Sequence, residues 1–437
     1  MRENLPISQS LFQEVGLKPQ ERCLPLNPLV RIHMPELDSA RGIAVLLVVF
    51  LHGMDRPLPP ELSAFGRLLF DLSHYGWVGV NLFFVLSGFL ITGILLDSRG
   101  RSDYFRRFYI RRALRILPAF YGMLLILIVG GCISLRFMVV SLLFLANFGV
   151  VLGVGGGYGV LWSLAVEEHF YIFWPLLVRR CSTRTLMIFA AAVCIGSPFL
   201  RILLLAGDIT PGHLASFFTW FNLDGLSLGG LLAIWVRMPS FCRNHLARIA
   251  PAVLLLNGTA FFFLVGRTWA DATVIKSACN LACTAFLSCL LLLGTSQWRF
   301  LVDRPILKFF GFISYGLYLV HLLAFRIADI LFSRPSAILV AHGQPLSAVF
   351  LCFGAGLALG TLIAYLSRRS LEERFLRIGH ASRTPSHNSV SDTKSMGMPV
   401  AGPASESWVR ADSFPWQIVS PRHIPRPHAE SPPCRDP

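Results

Sequence analysis

An arginine and a histidine stand eleven residues apart in the first long apolar run of the chain. Arg41 lies near the start of LDSARGIAVLLVVFLH, residues 37–52, and His52 ends it. Ionisable side chains are costly in hydrocarbon, and there they mark function by default. On an α-helix eleven residues rise ~16 Å and turn only ~20° past three full turns, so the two share one face at different depths. The competing reading has Arg41 snorkelling to the headgroups and His52 at the outer interface.

Three further groups of polar residues sit where a bilayer should exclude them. In WSLAVEEHFY, residues 162–171, Ser163 opens a stretch in which Glu167, Glu168 and His169 are adjacent inside an apolar helix. At 100° per residue they cannot all face one way, so at least one faces the bundle interior. Tyr171, four residues beyond Glu167, shares its face. Asn81 and Ser87 fall in a second apolar run whose small residues Gly79, Ser87, Gly88 and Gly93 allow close helix approach, and they read equally as packing. Arg111, Arg112 and Arg115 precede a third run and form a basic cytoplasmic mouth. Arg112 and Arg115, three apart, share a helix face. Their guanidinium groups suit phosphates, or the headgroups of anionic lipids.

These are the parts of an acyl transfer. A hydroxyl acceptor needs a general base near pH 7, which His52 supplies. A carboxylate such as Glu167 can orient the imidazole and stabilise its charged form. The cationic mouth can hold the phosphates of a nucleotide-bearing donor. An extended pantetheine arm would then bridge an inner phosphate site and an outer acceptor site. The rival from another class is a transporter or flippase of a lipid-linked glycan, which also wants buried charge and a basic inner mouth.

The elements that must position these residues are membrane helices. The chain has 437 residues, 54% of them hydrophobic and only 14% charged, against about a quarter charged in soluble domains. The apolar residues come in long blocks, so the expected fold is all-α, a polytopic bundle of about ten spans. The expected spans are 39–54, 76–96, 117–133, 160–178, 185–206, 216–236, 249–265, 273–294, 307–330 and 346–366. Residues 98–116 carry seven arginines against one acid, Asp103. That bias places the segment in the cytoplasm, and with it both termini. The segment 135–151 is ambiguous, and the positive-inside rule favours laying it on the outer surface. A polar link, 55–75, joins the first two spans.

The net charge of +15 sits mainly in these loops and does not argue for nucleic acid. The ten cysteines show no CxxC or Cys/His spacing, so no metal site is expected. Residues 1–36 read as a cytoplasmic lead without a signal-peptide pattern, 37–370 as the membrane domain, and 380–437 as a disordered Pro/Ser-rich cytoplasmic tail. His33 and Asp38 in the lead match the His-x4-Asp spacing of glycerophospholipid acyltransferases, but without their soluble α/β context.

In order along the chain, the motifs resemble those of the integral-membrane acyltransferase family 3, over about residues 36–370. Arg41 and His52 fit its opening Arg-x10-His motif. GWVGVNLFFVLSGFLITGILL resembles its second span, with Asn81 where many members carry Asp, so no proton role carries over to that position. YIRRALRILPAFY resembles its Arg-x-x-Arg motif, on Arg112 and Arg115, and LWSLAVEEHFYIFWPLL its Glu motif, on Glu167. FNLDGLSLGGLLA and FFGFISYGLYLVHLL resemble later blocks, on Asp224, Tyr315, Tyr318 and His321. The resemblance implies a ten-helix core with no permanently bound cofactor. Cytoplasmic acyl-CoA, often acetyl-CoA, would be the donor. The acceptor would be a hydroxyl of a cell-envelope glycan (a lipopolysaccharide sugar or another polysaccharide) or of a natural product. It implies a multi-pass protein of the cell (inner) membrane. Some members append an esterase-like domain, which the 57 residues after His380 are too polar and proline-rich to form.

Overall fold

The computed structural model describes residues 29–31, 34–55, 63–149, 151–154, 157–206, 217–264 and 269–375. Most of the lead 1–36, His33 included, and the whole of the tail 380–437 lie outside the described residues. Among the described residues every regular element is helical, as hydrocarbon demands of a chain that must pair its own backbone groups.

In chain order the helices are α1 (Pro35–Met54), α2 (Ala64–Ser73), α3 (Val78–Asp97), α4 (Tyr104–Val129), α5 (Leu135–Leu142), α6 (Leu161–Arg180), α7 (Thr183–Ala206), α8 (Leu223–Trp235), α9 (Arg243–Leu264), α10 (Trp269–Gly294), α11 (Pro305–Leu331), α12 (Ser333–Ala341) and α13 (Pro345–Ser367). Proline opens α1, α11 and α13, where its missing N–H costs nothing. Glu36 and Asp38 in the first turn of α1 and His52 in its last turn suit the helix dipole.

Among the described residues seven helical stretches are long and apolar enough to cross a membrane: 35–54, 64–97, 104–129, 183–204, 275–294, 305–331 and 345–375. Three of the expected spans fall short of that standard. The helix α6 carries Glu167, Glu168, Arg179 and Arg180, α8 has only 13 residues, and α9 begins with Arg243, His245 and Arg248.

The structure corrects two other boundaries. Residues 98–116 are not all loop, because α4 begins at Tyr104 and carries the arginines inside a helix. The link 55–75 contains α2, capped by Ser63 and showing Phe65, Leu68 and Leu72 outward. In agreement with the non-crossing alternative for 135–151, its described residues form the eight-residue α5 and a 3-10 turn at Ala146–Phe148. At 1.5 Å per residue α5 rises ~12 Å, too little to cross.

The central packing runs α11–α1–α3–α8, with α13 behind α11 and α10 behind α8. Small residues set the spacing. A Cβ on Gly42 would meet the Leu307 carbonyl oxygen, and one on Gly311 the Asp38 carbonyl oxygen, so α1 and α11 touch backbone to backbone. Gly79 meets the Ala44 carbonyl, and Gly88 and Gly229 seat α3 on α8 against the carbonyls of Leu226 and Val85. Gly93 instead makes room for the Arg237 guanidinium.

The helix ends are tied at one side. Arg237 after α8 grips Asp97 at the end of α3 with two bonds of 2.9 and 3.0 Å. Arg99 donates to the Cys181 carbonyl beyond α6, and Arg31 before α1 to the Gly294 carbonyl ending α10 at 2.9 Å. Arg368 at the end of α13 lies over the Phe312 ring near the start of α11. Each of these contacts sets an arginine at the end of one helix against the end or first turns of another.

Gly88→Leu should drive a side chain into the Leu226 carbonyl and separate α3 from α8. The yield of monodisperse protein after detergent extraction should collapse, while Gly122→Leu, which meets nothing within 4 Å, should extract like the native chain.

Candidate active site

Glu167 sits in the upper part of α6, and its carboxylate is the meeting point of three other helices. Ser87 Oγ of α3 donates to its Oε1 at 3.1 Å, and Tyr171 OH, one turn along α6, donates to its Oε2 at 2.6 Å. Arg112 of α4 brings a guanidinium nitrogen to 3.7 Å from Oε2 and stacks its carbon 3.7 Å over the Tyr171 ring. Arg41 of α1 bonds Asp38 at 3.0 Å, and its charge acts on Arg112, Tyr171 and Glu167. Two cations, a phenol and a hydroxyl thus surround one carboxylate. An anion out of water needs such compensation.

His52 lies higher, in the last turn of α1. Its Nδ1 is 2.9 Å from the Val48 carbonyl oxygen and 3.3 Å from Nε2 of His321 on α11, with ring centroids 5.0 Å apart. His321 Nδ1 faces the carbonyl oxygens of Tyr318 at 2.8 Å and Leu317 at 3.2 Å. Tyr318, whose ring lies 5.8 Å from that of His321, meets Ser163 of α6 through its hydroxyl at 2.5 Å. Tyr158 holds the same stretch of α11 by donating to the Leu319 carbonyl at 2.8 Å and accepting from the Leu323 N–H at 3.1 Å.

Ser163 and Glu167 are one turn apart on α6 and share a face. The polar groups therefore form a row, His52, His321, Tyr318, Ser163, Glu167 and Arg112, across α1, α11, α6 and α4, joined by polar contacts at His52–His321, Tyr318–Ser163 and Glu167–Arg112 and by ring contact at His321–Tyr318. Within it Glu167 makes no hydrogen bond to His52. The place that a triad would give to a carboxylate is held by His321.

The remaining sequence candidates fall as follows. Arg112 turns inward to Glu167, while Arg111 keeps its Nε and one terminal nitrogen out of water without a hydrogen bond among the described residues. Arg115 is half-buried on the Arg112 side of α4, and the Tyr315 hydroxyl donates to the adjacent Ile116 carbonyl at 2.9 Å. Asn81 is buried on α3, with its amide nitrogen making no hydrogen bond among the described residues. His169 points away from Glu167 and meets the Thr219 hydroxyl at 2.7 Å.

Asp224 stands outside this row. It pairs with Arg201 of α7, and both are almost fully buried. Arg201 also donates to Ser277 at 3.3 Å, and the charge of Lys276 acts in the same cluster. The sequence reading passed over Arg201 and Lys276. The available signal was the one used for Arg41, a cation inside an apolar helix. No group of His, Cys, Asp and Glu among the described residues could hold a metal ion.

A family model described as an acyltransferase domain matches residues 34–366. The putative peptidoglycan O-acetyltransferase YrhL of Bacillus subtilis (strain 168) is 34% identical over 165 residues, 33% of this chain and 24% of that protein. The peptidoglycan O-acetyltransferase OatA of Listeria monocytogenes serovar 1/2a is 32% identical over 164 residues, 33% of this chain and 24% of that protein. The putative O-acetyltransferase SAS0844 of Staphylococcus aureus (strain MSSA476) is 26% identical over 328 residues, 66% of this chain and 50% of that protein. The chain spans half or less of the length of these relatives. No solved structure matches it.

Arg112→Ala removes the nearest counter-charge from a part-buried carboxylate, and should destabilise the protein by about 3 kcal/mol, the lower end for a broken buried pair. Arg112→Ala combined with Glu167→Gln should recover part of that loss. A double-mutant cycle on the melting temperature in detergent checks both.

Proposed function

The chain belongs to the integral-membrane acyltransferase family 3, and on that premise we propose that it is a membrane O-acyltransferase. In this reading it moves an acyl group, acetyl by preference, from cytoplasmic acyl-CoA to a hydroxyl of a cell-envelope glycan. The observation that carries the reading is that two buried polar groupings, the His52–His321 pair and the Glu167–Arg112 cage, lie in one packed bundle with the Tyr318–Ser163 contact between them. A purely structural ion pair would not need a histidine pair, a buried tyrosine–serine contact and a caged carboxylate strung between its two ends.

The helices α1, α3, α4, α6, α7, α8, α9, α10, α11 and α13 make ten crossings of the cell membrane, with both ends of the chain cytoplasmic. Of the three that are short or charged, α6 turns Glu167 to Ser87 and Arg112, and α8 packs Asp224 against Arg201, so neighbouring helices satisfy their acidic groups. Arg111 and Arg115 receive the phosphates of the donor at the inner end of α4, and the unbonded guanidinium nitrogens of Arg111 support that assignment. The pantetheine arm then runs up toward Glu167 and His52.

His52 takes the proton of the acceptor hydroxyl, and the oxygen attacks the thioester carbonyl carbon. The C–S bond breaks, an ester C–O bond remains, and the thiolate of CoA recovers the proton from His52. Glu167, fixed by Tyr171 and Ser87, keeps Arg112 in position, and Arg112 and Arg41 line the path of the donor arm below His52. The names of the relatives in Bacillus and Listeria favour a peptidoglycan-like glycan as acceptor. No permanent cofactor enters these steps.

The native chain in lipid nanodiscs, given radiolabelled acetyl-CoA and a soluble glycan acceptor, should form labelled ester. His52→Ala should lower the rate by roughly 100-fold or more, as loss of a general base does. Glycan movement across the bilayer without label transfer would favour a flippase and overturn the reading.

A further inference from the structure

His52 and His321 meet across the interface of α1 and α11, and their hydrogen bonds fix where the protons are. The carbonyl oxygens of Tyr318 and Leu317 can only accept, so His321 Nδ1, at 2.8 and 3.2 Å from them, carries a hydrogen. A neutral imidazole has one N–H, which leaves a lone pair on His321 Nε2. That lone pair lies 3.3 Å from His52 Nδ1, and the Val48 carbonyl oxygen lies 2.9 Å from the same atom. Two acceptors on two different helices therefore demand the hydrogen on His52 Nδ1. The ring planes are tilted at 54° and not stacked, as an edge-to-edge hydrogen bond requires. The alternative, a doubly protonated His321, would need His52 Nδ1 as an acceptor, setting its lone pair against the Val48 carbonyl oxygen 2.9 Å away and a second charge beside it.

We propose that His321 is a positioning residue that holds His52 in a single tautomer, with its proton on Nδ1, so that Nε2 is the atom which takes the acceptor's proton. The inference rests on the acyl-transfer reading above. In the step, the acceptor O–H bond breaks toward His52 Nε2 as its oxygen bonds the thioester carbon. The imidazolium that forms keeps its Nδ1–H aimed at the His321 lone pair and the Val48 oxygen, which spread its charge. The departing thiolate then takes the Nε2 proton, and both rings return to their starting state.

A carboxylate does the orienting in the familiar serine triad. Here a neutral acceptor does the same work without placing another anion in the bilayer. His321 suits the task because it is itself immobile: it is buried on α11, its Nδ1 is bound to its own helix, and Tyr158 clasps α11 at Leu319 and Leu323 on either side of it.

The test is nitrogen NMR on the full chain in nanodiscs with 15N-labelled histidine, using His52→Asn and His321→Leu difference spectra for assignment. Both rings should show a protonated Nδ1 and an unprotonated Nε2. A protonated Nε2 on neutral His52 overturns the inference, whatever the activity. Kinetics give the second arm. His321→Leu should lose kcat by roughly tenfold or more, the scale of a mis-set general base, with KM for the donor unchanged. His52 should then show a mixture of tautomers.

His321→Gln offers a carbonyl oxygen near the position of Nε2, and should restore both the tautomer and much of kcat relative to Leu. A Leu variant with native kcat, or Gln and Leu variants equally impaired with the His52 spectrum unaltered, also overturns it. Should the native chain transfer no acyl group, the function reading falls and takes the catalytic half of this inference with it. The nitrogen spectrum still decides the tautomer.

Discussion

The structure depends on keeping one carboxylate, Glu167, between helices that cross a membrane. An anion there is stable only when cations and donors reach it from several sides. Each donor comes from a different part of the chain: Ser87 from α3, Tyr171 from α6 itself, Arg112 from α4, with Arg41 of α1 adding its field. Satisfying that group fixes how α1, α3 and α4 are rotated about their axes. Arg112 is held twice, by the carboxylate and by the Tyr171 ring, so its position is not that of a free surface cation.

The apolar packing serves the same end. Backbone contacts at Gly42, Gly311 and Gly79 bring α11 and α3 hard against α1. That closeness lets an imidazole at the top of α1 reach one on α11, a contact that bulkier residues at these crossings would prevent. The histidine pair and the Glu167 cage are then linked by Tyr318 and Ser163, two short side-chain steps between α11 and α6. The histidine pair and the cations Arg41 and Arg112 thereby stand at different depths of one bundle.

Much of this was legible in the residues. The eleven-residue spacing placed Arg41 and His52 on one face, and the i,i+4 spacing paired Glu167 with Tyr171, which the 2.6 Å bond bears out geometrically. The small residues of the second span did mark close contacts at Gly79 and Gly88. Ser87, read as packing, instead bonds Glu167, because periodicity shows which residues share a face but not which helix that face meets. For the same reason the sequence could not pair Arg112 with Glu167, or find His321 as the partner of His52, 269 residues away. The start of α4 was hidden by charge: seven arginines read as loop, yet Arg and Leu are both good helix formers. The short α8 was overread because apolar residues before Leu223 belong to a 3-10 turn. Arg201 and Lys276 stand in no motif, and only a scan of every cation in an apolar run singles them out.

On the acyl-transfer reading, donor and acceptor meet between the Glu167 cage and the histidine pair. The most direct measurement is a cryo-electron-microscopy map of the chain in nanodiscs with a non-transferable thioether analogue of acetyl-CoA. The account predicts phosphate density at Arg111 and Arg115 on the basic side and the thioether sulfur between Arg112 and His52. An analogue seated at the Arg201–Asp224 cluster, or one whose sulfur stays outside the bundle while His52 and Glu167 face no density, would contradict it.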